Sequence, residues 1–382
     1  HSRSRHRKRA RDCCTSMQLL RSVRPPLATR LALQHAALLG GMSHEFAALD
    51  EPELQQSLPR HCATMKAYQA ELLACGAANS AALATVFGRA ENHGTDRLRS
   101  VVWPWLEPLA GTAEDEYEHL GSVWRHMARD WTAGGAAQTG HLRAEVLRLL
   151  RGEGLASGAG VPPGGEVLVL GCGQARLAWT IASGLPGARV TGLEASEAQL
   201  SAANFFLQCA EEERLAFHPF LDEPRSNLHA AARTAALAAP DIAPAALPRV
   251  SLELRRGDFL QLSPSGEEAL RGSDAVVTSF FLDCVPGVAD SLRSIHALLR
   301  PGGLWVFAGP PTHPPCSRCQ AAITSTALVL QAPSPTTAGP SCALPSTSWS
   351  ASLAGKIAAC VNGVSSHFPL SPVNRSASPP RS

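Results

Sequence analysis

The sequence predicts an α/β fold in which a parallel β-sheet is covered by helices on both faces. The main observation lies in residues 166–176, Glu-Val-Leu-Val-Leu-Gly-Cys-Gly-Gln-Ala-Arg, where an unbroken apolar run ends in two glycines. Such a run is typical of a parallel strand that is buried on both faces. Strand-like and helix-like segments alternate from there to residue 308, which is the order that builds parallel β-α-β units. Helical periodicity before the first strand predicts an N-terminal helical region.

Length and composition are those of a globular chain. The chain has 382 residues, of which 45% are hydrophobic and 17% charged, and its net charge is +2. It can therefore form one large domain or two modest ones, and neither nucleic acid nor a membrane is expected as a partner. The 11 cysteines have no regular spacing, which is typical of free thiols. We expect no metal site, because the pair Cys316-Ser-Arg-Cys319 has no second pair at zinc-finger spacing.

Residues 1–42 are predicted to be a disordered basic leader. They begin His-Ser-Arg-Ser-Arg-His-Arg-Lys-Arg and contain a single acidic residue, Asp12. An Arg-rich, acid-poor segment resembles an organellar transit peptide, and a nuclear signal fits as well. We expect a cytoplasmic protein, with the nucleus and an organelle as open alternatives.

Residues 43–151 are predicted to be helical, because their apolar residues recur at spacings of three and four. One helix is expected over about residues 115–131, with Trp124 and Trp131 as core residues in its apolar stripe. A Gly/Pro-rich loop follows and marks the start of the α/β domain, which is predicted to span residues 152–310.

The glycine turn is a candidate nucleotide site. Gly171 and Gly173 allow a sharp turn in which main-chain N–H groups approach a ligand, and a helix follows. Glu194 ends the second predicted strand, 23 residues after Gly171. An acidic residue at that point accepts hydrogen bonds from a ribose. The alternative for Glu194 is a cap of the helix that starts at Ser196.

Two later strand ends also carry candidate residues. Asp258 and Phe259 follow a strand at residues 250–254, where a carboxylate can accept from an adenine amino group and a ring can stack on the base. A turn Asp beside a core Phe is the alternative. Asp283 follows the buried strand that begins at Ser273, so it can face a bound substrate, unless it is a surface loop residue.

Two segments depart from an ordinary α/β domain. Residues 210–249 form a long insertion, which is either a functional lid or a tolerated insertion. Residues 311–382 are dominated by Ser, Pro, Ala and Thr and contain no acidic residue, which predicts a disordered tail. The last strands of the sheet are therefore expected to be missing, leaving an apolar edge exposed.

The glycine turn favours S-adenosylmethionine over a dinucleotide. A dinucleotide turn reads Gly-x-Gly-x-x-Gly, and the sixth position here is Arg176, which crowds the approach of helix and strand. S-adenosylmethionine has no pyrophosphate, so the first part of the turn suffices, with Glu194 for the ribose and Asp258 for the adenine. These motifs, in this order, resemble the Rossmann-like sheet of a class I methyltransferase.

Longer stretches make the resemblance more specific. They are Ala128-Arg-Asp-Trp131, Gly171-Cys-Gly-Gln-Ala-Arg-Leu-Ala-Trp179, Glu194, Asn204-Phe205, His218-Pro-Phe220, Pro240-Asp-Ile-Ala-Pro244, Gly257-Asp-Phe259, Thr278-Ser-Phe-Phe-Leu-Asp283 and Pro301-Gly-Gly-Leu-Trp305. Over about residues 45–310 the chain is similar to the carnosine N-methyltransferase family. The insertion and the Arg-Asp-Trp element are more specific than the glycine turn, because generic methyltransferases lack them.

The resemblance implies a set of site residues and a reaction. The implied cofactor-binding residues are His126, Arg129, Gly171, Gly173, Glu194, Asp258, Phe259 and Ser279. Asp283 would be the catalytic residue and contact the substrate, and His313 would be a second substrate contact. Arg129 would hold the methionine carboxylate, because a guanidinium binds a carboxylate bidentately. The implied reaction is methylation of the imidazole of carnosine, or of a related small histidine-containing dipeptide, by S-adenosylmethionine. The resemblance also implies a homodimer as a possible oligomeric state.

The chain differs from the family at single positions and at its C-terminal end. His126 stands where the family has Gln, Ala175 where it has Gly, and Ser279 where Cys is usual. After Gly-Pro the family continues with Leu-Leu-Tyr-His and strands that carry substrate tyrosines. After Gly309-Pro310 this chain continues Pro311-Thr-His313, which is one residue shorter. We therefore expect the C-terminal third of the catalytic domain to be replaced. Two alternatives stay open: a methyltransferase of another small molecule or of peptidyl histidine, and a cofactor-binding protein without turnover.

Overall fold

The chain divides into two compact units, His1–Gln261 and Leu262–Ser382. The computed structural model describes residues 26–92, 119–153, 155, 160–209, 214–222, 230–244, 251–259, 270–282, 284, 285, 287–309 and 326–331.

The first unit begins with helices, as predicted. They are α1 (Leu27–Glu45), a short 3-10 helix (Ala47–Asp50), α2 (Pro52–Ser57), α3 (Pro59–Asn92), α4 (Leu120–Trp131) and α5 (Ala133–Leu150). The predicted disordered leader is wrong for residues 27–42, which belong to α1. This segment is rich in Leu and Ala, which favour a helix, and it buries Leu31, His35 and Met42.

Helix α3 is long and apolar enough to cross a membrane by length and composition alone. A core helix of a soluble protein passes the same test. Apolar side chains of α3, among them Leu72, Val86 and Phe87, are buried within the first unit. Core packing buries part of this apolar helix, and the absence of a membrane partner stays a prediction.

The α/β part of the first unit contains β1 (Glu166–Leu170), α6 (Arg176–Gly184), β2 (Arg189–Glu194), α7 (Glu197–Gln208) and β5 (Leu252–Arg256). Strand β2 pairs in parallel with β1 on one side and with β5 on the other. Leu170 is opposite Leu193, and Glu194 is opposite Arg256, so the three strands end at the same edge. Residues 167–170 of β1 are buried, as expected for a strand covered on both faces.

The insertion is packed into the helical region where the structure describes it. It contains β3 (Leu215–Phe217), α8 (Ala230–Arg233) and β4 (Leu237–Ala239), and β3 pairs antiparallel with β4. Phe217 stacks on Trp124 of α4, with 5.6 Å between ring centroids. Trp131, at the end of α4, stacks on Phe206 of α7 at 5.2 Å. Both tryptophans are buried, which confirms their predicted place in the core.

The second unit contains β6 (Ser273–Ser279), α9 (Val288–Leu298), β7 (Leu299–Gly309) and β8 (Thr326–Gln331). Strands β6 and β7 are parallel, as predicted, and the indole Nε1 of Trp305 donates to Thr278 Oγ1 at 2.9 Å. Strand β8 lies antiparallel to β7, with Leu304 opposite Gln331 and Gly309 opposite Thr326.

Strand β8 corrects the prediction of a disordered tail at six residues. Its sequence, Thr-Ala-Leu-Val-Leu-Gln, favours a strand, and an open edge of β7 would present unpaired N–H and C=O groups. The expected exposed edge is therefore paired along Leu304–Gly309. The other residues of the predicted tail lie outside the described part of the chain.

Candidate functional site

The glycine turn joins β1 to α6 through three alternate residues in the left-handed region. Gly171, Gly173 and Ala175 have φ angles of 59°, 55° and 63°. The N–H of Cys172 donates to the carbonyl oxygen of Leu193 at 3.0 Å, which ties the turn to the end of β2. Glycine adopts this conformation readily, whereas the Cβ of Ala175 makes it strained. Ala175 is thus the third left-handed residue of the turn, and α6 begins at the next residue, Arg176.

Glu194 is bound to the glycine turn and to the start of α7. Its Oε2 accepts from the N–H of Gly173 at 2.9 Å, and its Oε1 accepts from the N–H of Ser196 at 3.0 Å. Burial raises the pKa of the Glu194 carboxyl, while these N–H groups and the nearby Arg129 oppose that rise. The bond to Ser196 is the contact expected of a carboxylate that caps α7, and the predicted contact of Glu194 with a ribose stays a prediction.

Arg129 approaches the same turn from helix α4. Its guanidinium binds Asp130 bidentately, with Nε to Oδ1 at 2.7 Å and Nη2 to Oδ2 at 2.8 Å. A Cβ on Gly173 would lie 3.7 Å from Arg129 Nη2. The structure therefore brings together three of the predicted cofactor-binding residues, Arg129, Gly173 and Glu194.

His126 lies one turn before Arg129 on α4 and takes part in a polar network that was not predicted. It is hydrogen-bonded to Gln199. Gln174 Nε2 donates to Gln199 Oε1 and to the carbonyl oxygen of Val123, each at 3.0 Å. Burial, and then the positive charge of Arg129, lower the pKa of His126 from 6.5 to about 4. The imidazole is therefore neutral at pH 7, and its buried Nδ1 has no hydrogen-bond partner within the described residues.

Asp258 and Phe259 follow β5 at the same edge of the first unit's strands. The N–H of Gly257 donates to the main-chain oxygen of Glu194 at 2.9 Å, which holds the ends of β5 and β2 together. Asp258 is half-buried and Phe259 is buried. Their contacts with adenine stay predictions. Both residues follow the end of β5, which is bound to the end of β2 beside Glu194.

Ser279 is the last residue of β6 in the second unit and is half-buried. It precedes Phe280, whose φ of 50° is strained for a bulky residue. The N–H of Phe280 donates to the carbonyl oxygen of Ala308 at 2.9 Å, so the turn is fixed against the end of β7. Asp283 and His313, the predicted catalytic and substrate residues, lie outside the described residues, as does the Cys316–Cys319 pair.

Arg176 and Asp241 form a buried ion pair that the sequence pattern did not predict. Arg176 Nη1 lies 2.7 Å from Asp241 Oδ1, and Nη2 lies 3.0 Å from Oδ2. Asp241 belongs to the insertion, 65 residues further along the chain, and only the insertion motif of the resemblance pointed to it. Among the residues that the structure describes, no group of three His, Cys, Asp or Glu side chains could hold a metal.

The model of one protein family, described as carnosine N-methyltransferase, matches residues 110–314, which is more than half of the chain. The chain belongs to the carnosine N-methyltransferase family. This confirms the resemblance, and with it the class I methyltransferase fold expected for the sheet and its helices.

Relatives in the family are similar over part of their length. The carnosine N-methyltransferase of Rattus norvegicus is 28% identical over 197 residues, which cover 51% of this chain and 48% of the rat protein. The protein named carnosine N-methyltransferase unmet, from Drosophila melanogaster, is 33% identical over 147 residues, or 38% of this chain and 31% of the fly protein. The chain therefore spans about half the length of the rat relative, and less of the fly relative.

Solved structures of methyltransferases are also similar. Phosphoethanolamine N-methyltransferase 2 of Haemonchus contortus, in complex with S-adenosyl-L-methionine, matches with a TM-score of 0.32 and 14% identity, covering 54% of this chain and 38% of that one. A methyltransferase of Thiobacillus denitrificans, in complex with S-adenosyl-L-homocysteine, matches with a TM-score of 0.29 and 16% identity, covering 50% and 54%.

Proposed function

We propose that this chain is an S-adenosylmethionine-dependent N-methyltransferase that methylates the imidazole of carnosine, or of a related histidine-containing dipeptide, and so converts carnosine to anserine. The observation that carries the proposal is the meeting of Arg129, Gly173 and Glu194 at the glycine turn of a carnosine N-methyltransferase family member. These residues provide a guanidinium, a close-approach glycine and a fixed carboxylate at the carboxyl ends of parallel strands, where ligands of α/β folds bind.

The residues around the turn fit S-adenosylmethionine. Glu194 uses one hydrogen bond on each oxygen in the contacts above, and a carboxylate oxygen can accept another, so ribose hydroxyls can be bound. The buried Nδ1 of His126 requires a partner that the described residues do not supply. Arg129 is suited to the methionine carboxylate. When bound, S-adenosylmethionine supplies an electrophilic methyl group on a sulfonium.

The imidazole substrate needs little activation. With a pKa of about 6.5, an imidazole is largely neutral at pH 7 and has one nitrogen lone pair available. That lone pair would form the new N–C bond while the S–C bond of the sulfonium breaks and leaves its electron pair on sulfur. The ring would gain the positive charge that the sulfur loses, and the proton on the other ring nitrogen would then be released to solvent. The chain must therefore position the ring and exclude water rather than provide a strong base.

Asp283 is proposed to orient this ring. A carboxylate that accepts from the other ring nitrogen would fix the direction of the lone pair and stabilise the positive charge that methylation creates. The support for this role is the Thr278–Asp283 sequence and the family membership. Asp283→Asn is expected to lower kcat for carnosine by about 100-fold or more while cofactor affinity is kept. Unchanged turnover with carnosine would remove Asp283 from the mechanism.

The function is tested by separating cofactor binding from turnover. Calorimetric titration with S-adenosylhomocysteine is expected to show binding, and incubation with S-adenosylmethionine and carnosine is expected to yield anserine by mass spectrometry. Binding without methyl transfer to carnosine, to histidine-containing peptides or to free imidazoles would indicate a cofactor-binding protein without turnover. Transfer to a peptidyl histidine but not to carnosine would overturn the proposed substrate.

A further inference from the structure

Arg176 and Asp241 form a bidentate pair that is almost completely withdrawn from water. Their side chains are 8% and 9% exposed, and the two N–O distances are 2.7 and 3.0 Å. A buried ion pair is a weak source of stability, because the desolvation of both charges offsets their attraction. The pair fixes the orientation of the two side chains more than it adds stability, because a guanidinium and a carboxylate bind each other in one plane.

The pair lies where three segments meet: the end of α4, the glycine turn and the insertion. The N–H of Asp241 donates to the carbonyl oxygen of Trp131 at 2.8 Å, so the insertion is bound to the last residue of α4. The indole Nε1 of Trp131 donates to the carbonyl oxygen of Gln174 in the turn at 3.1 Å. The guanidinium of Arg176 lies over the Trp131 ring at 4.8 Å from its centroid. Each segment is thus bound to the other two.

Helix α4 is also held at its first residues. The N–H of Leu120 donates to Gln34 Oε1 of α1 at 2.9 Å. Asp222 of the insertion lies 3.4 Å from Arg125, and a Cβ on Gly121 would come within 1.9 Å of Asp222 Oδ2. The insertion therefore contacts α4 at both ends, and a larger residue at position 121 would displace it.

This arrangement determines where Arg129 lies. Arg129 precedes Trp131 by two residues on the last turn of α4, and its guanidinium lies beside Gly173. A small rotation or shift of that last turn would move the guanidinium away from the glycine turn. The contacts that oppose such a motion are the Asp241–Trp131 hydrogen bond, the Trp131–Gln174 hydrogen bond and the stacked Arg176.

We infer that Asp241 and Arg176 are positioning residues for cofactor binding: the insertion fixes the end of α4 through this pair and so holds Arg129 at the glycine turn. The inference rests on the proposed function, because it assigns to Arg129 a contact with the cofactor. The insertion then acts as a fixed support and not as a moving lid, because Asp241 holds Arg176 and the end of α4 in a single arrangement.

The test compares single variants with variants combined with Arg129→Met. Asp241→Asn is expected to weaken S-adenosylhomocysteine binding about tenfold and to raise KM for S-adenosylmethionine, with KM for carnosine unchanged. In an Arg129→Met background the same substitution should add less than about a twofold effect, because residues that act through one contact are not additive. Arg176→Lys keeps the charge but not the bidentate geometry, so an intermediate loss of affinity is expected.

Controls separate positioning from folding. The double variant Arg176→Met, Asp241→Leu replaces the pair by apolar side chains and is expected to keep its Tm without regaining cofactor affinity. Arg148→Met breaks a half-buried pair with Glu145 on α5 and should leave affinity unchanged. Wild-type protein that fails to bind S-adenosylhomocysteine would overturn the proposed function. Wild-type binding with full affinity in Asp241→Asn, or an equal loss with and without Arg129, would overturn the positioning role alone.

Discussion

Ala175 is strained in a turn whose other two left-handed residues are glycines. Its φ of 63° matches those of Gly171 and Gly173, and its methyl group is completely buried. A left-handed conformation costs an L-residue about 1–2 kcal/mol. The family has glycine at this position, so the turn conformation is kept here against the preference of the residue.

The strain predicts an unusual response to Ala175→Gly. Substituting Gly for a buried alanine normally lowers the free energy of unfolding, as expected for Ala178→Gly inside α6, by about 1 kcal/mol. At position 175 the relief of strain offsets that loss, so Ala175→Gly should be more stable than Ala178→Gly by about 1–2 kcal/mol. Urea unfolding of the two variants measures the difference. Both residues are fully buried, so equal losses would mean that the turn is not strained.

His126 predicts a pH dependence of stability. Its pKa is about 4 in the folded protein and 6.5 in its ordinary state, so the unfolded chain takes up a proton that the folded chain does not between these values. The contribution of neutral His126 to the free energy of unfolding is therefore complete above pH 6.5 and is lost as the pH falls towards 4. At pH 5 the loss should be about 2 kcal/mol.

His126→Gln, which places the family's residue there, should remove this loss. Denaturant unfolding at pH 7.5 and pH 5 is expected to show a smaller decrease for the variant than for the wild type, by about 2 kcal/mol. Parallel pH curves would mean that the His126 ring is not buried as a neutral group. A direct NMR titration of the ring provides an independent measurement.

At the residue scale the sequence predicts the part of the site that is formed by neighbouring strand ends. Gly171, Gly173 and Glu194 are identified because they lie at the ends of two successive predicted strands, at a regular spacing. The partners of Gln174 and Arg176 do not, because Gln199 and Asp241 lie 25 and 65 residues away and no period relates them. Such pairs depend on the packing of the insertion, which the sequence leaves as a choice between a lid and a tolerated segment.

At the scale of elements, periodicity identifies helices and strands but misplaces their ends. Helix α1 begins at Leu27 inside the segment interpreted as a basic leader, because the arginines before it dominate the composition. The insertion has no periodicity, yet β3 and β4 pair and pack on α3 and α4. Its structure comes from tertiary contacts, which is why the sequence alone leaves it irregular.

Asn79 of α3 is a polar anchor for the insertion. Its side chain is completely buried, donates to the carbonyl oxygen of His218 at 2.9 Å and accepts from the His218 N–H at 2.7 Å. Asn79→Ala would leave both main-chain groups without these partners. We expect the free energy of unfolding to fall by about 1–3 kcal/mol. Hydrogen exchange should accelerate at the His218 amide and in β3.

The neighbouring residue on α3 provides the control for this prediction. Ser80 is exposed and its hydroxyl bonds only to Gly76 within the same helix in the contacts described. Ser80→Ala should therefore leave exchange at His218 unchanged. If Asn79→Ala also leaves it unchanged, the insertion is held by apolar packing, with Phe217 on Trp124, and not by Asn79.

At the scale of the whole molecule, β8 decides whether β7 has an open edge. The composition of the tail predicts disorder because its average is dominated by Ser and Pro. A window of six residues that contains four consecutive aliphatic side chains, Ala327–Leu330, is enough to form a strand when a partner edge is present. Pairing with residues 304–309 of β7 gives that edge a partner within the chain itself.

Breaking this pairing should make the protein associate with itself. Adjacent residues of a strand direct their N–H groups to opposite sides, so the double variant Leu328→Pro, Val329→Pro must remove at least one donor facing β7. The freed β7 edge can then pair with another chain. Light scattering is expected to show concentration-dependent oligomers, with far-UV circular dichroism nearly unchanged.

The matched variant Leu328→Ile, Val329→Ile keeps every N–H group and has residues that favour a strand. It should therefore have the same oligomeric state as the wild type. Oligomers in both variants would point to lost side-chain packing rather than to an open edge. A proline variant with wild-type scattering at every concentration would show that β8 does not protect β7. The edge of β7 would then have to be protected by another feature, such as the charge and twist of β7 itself.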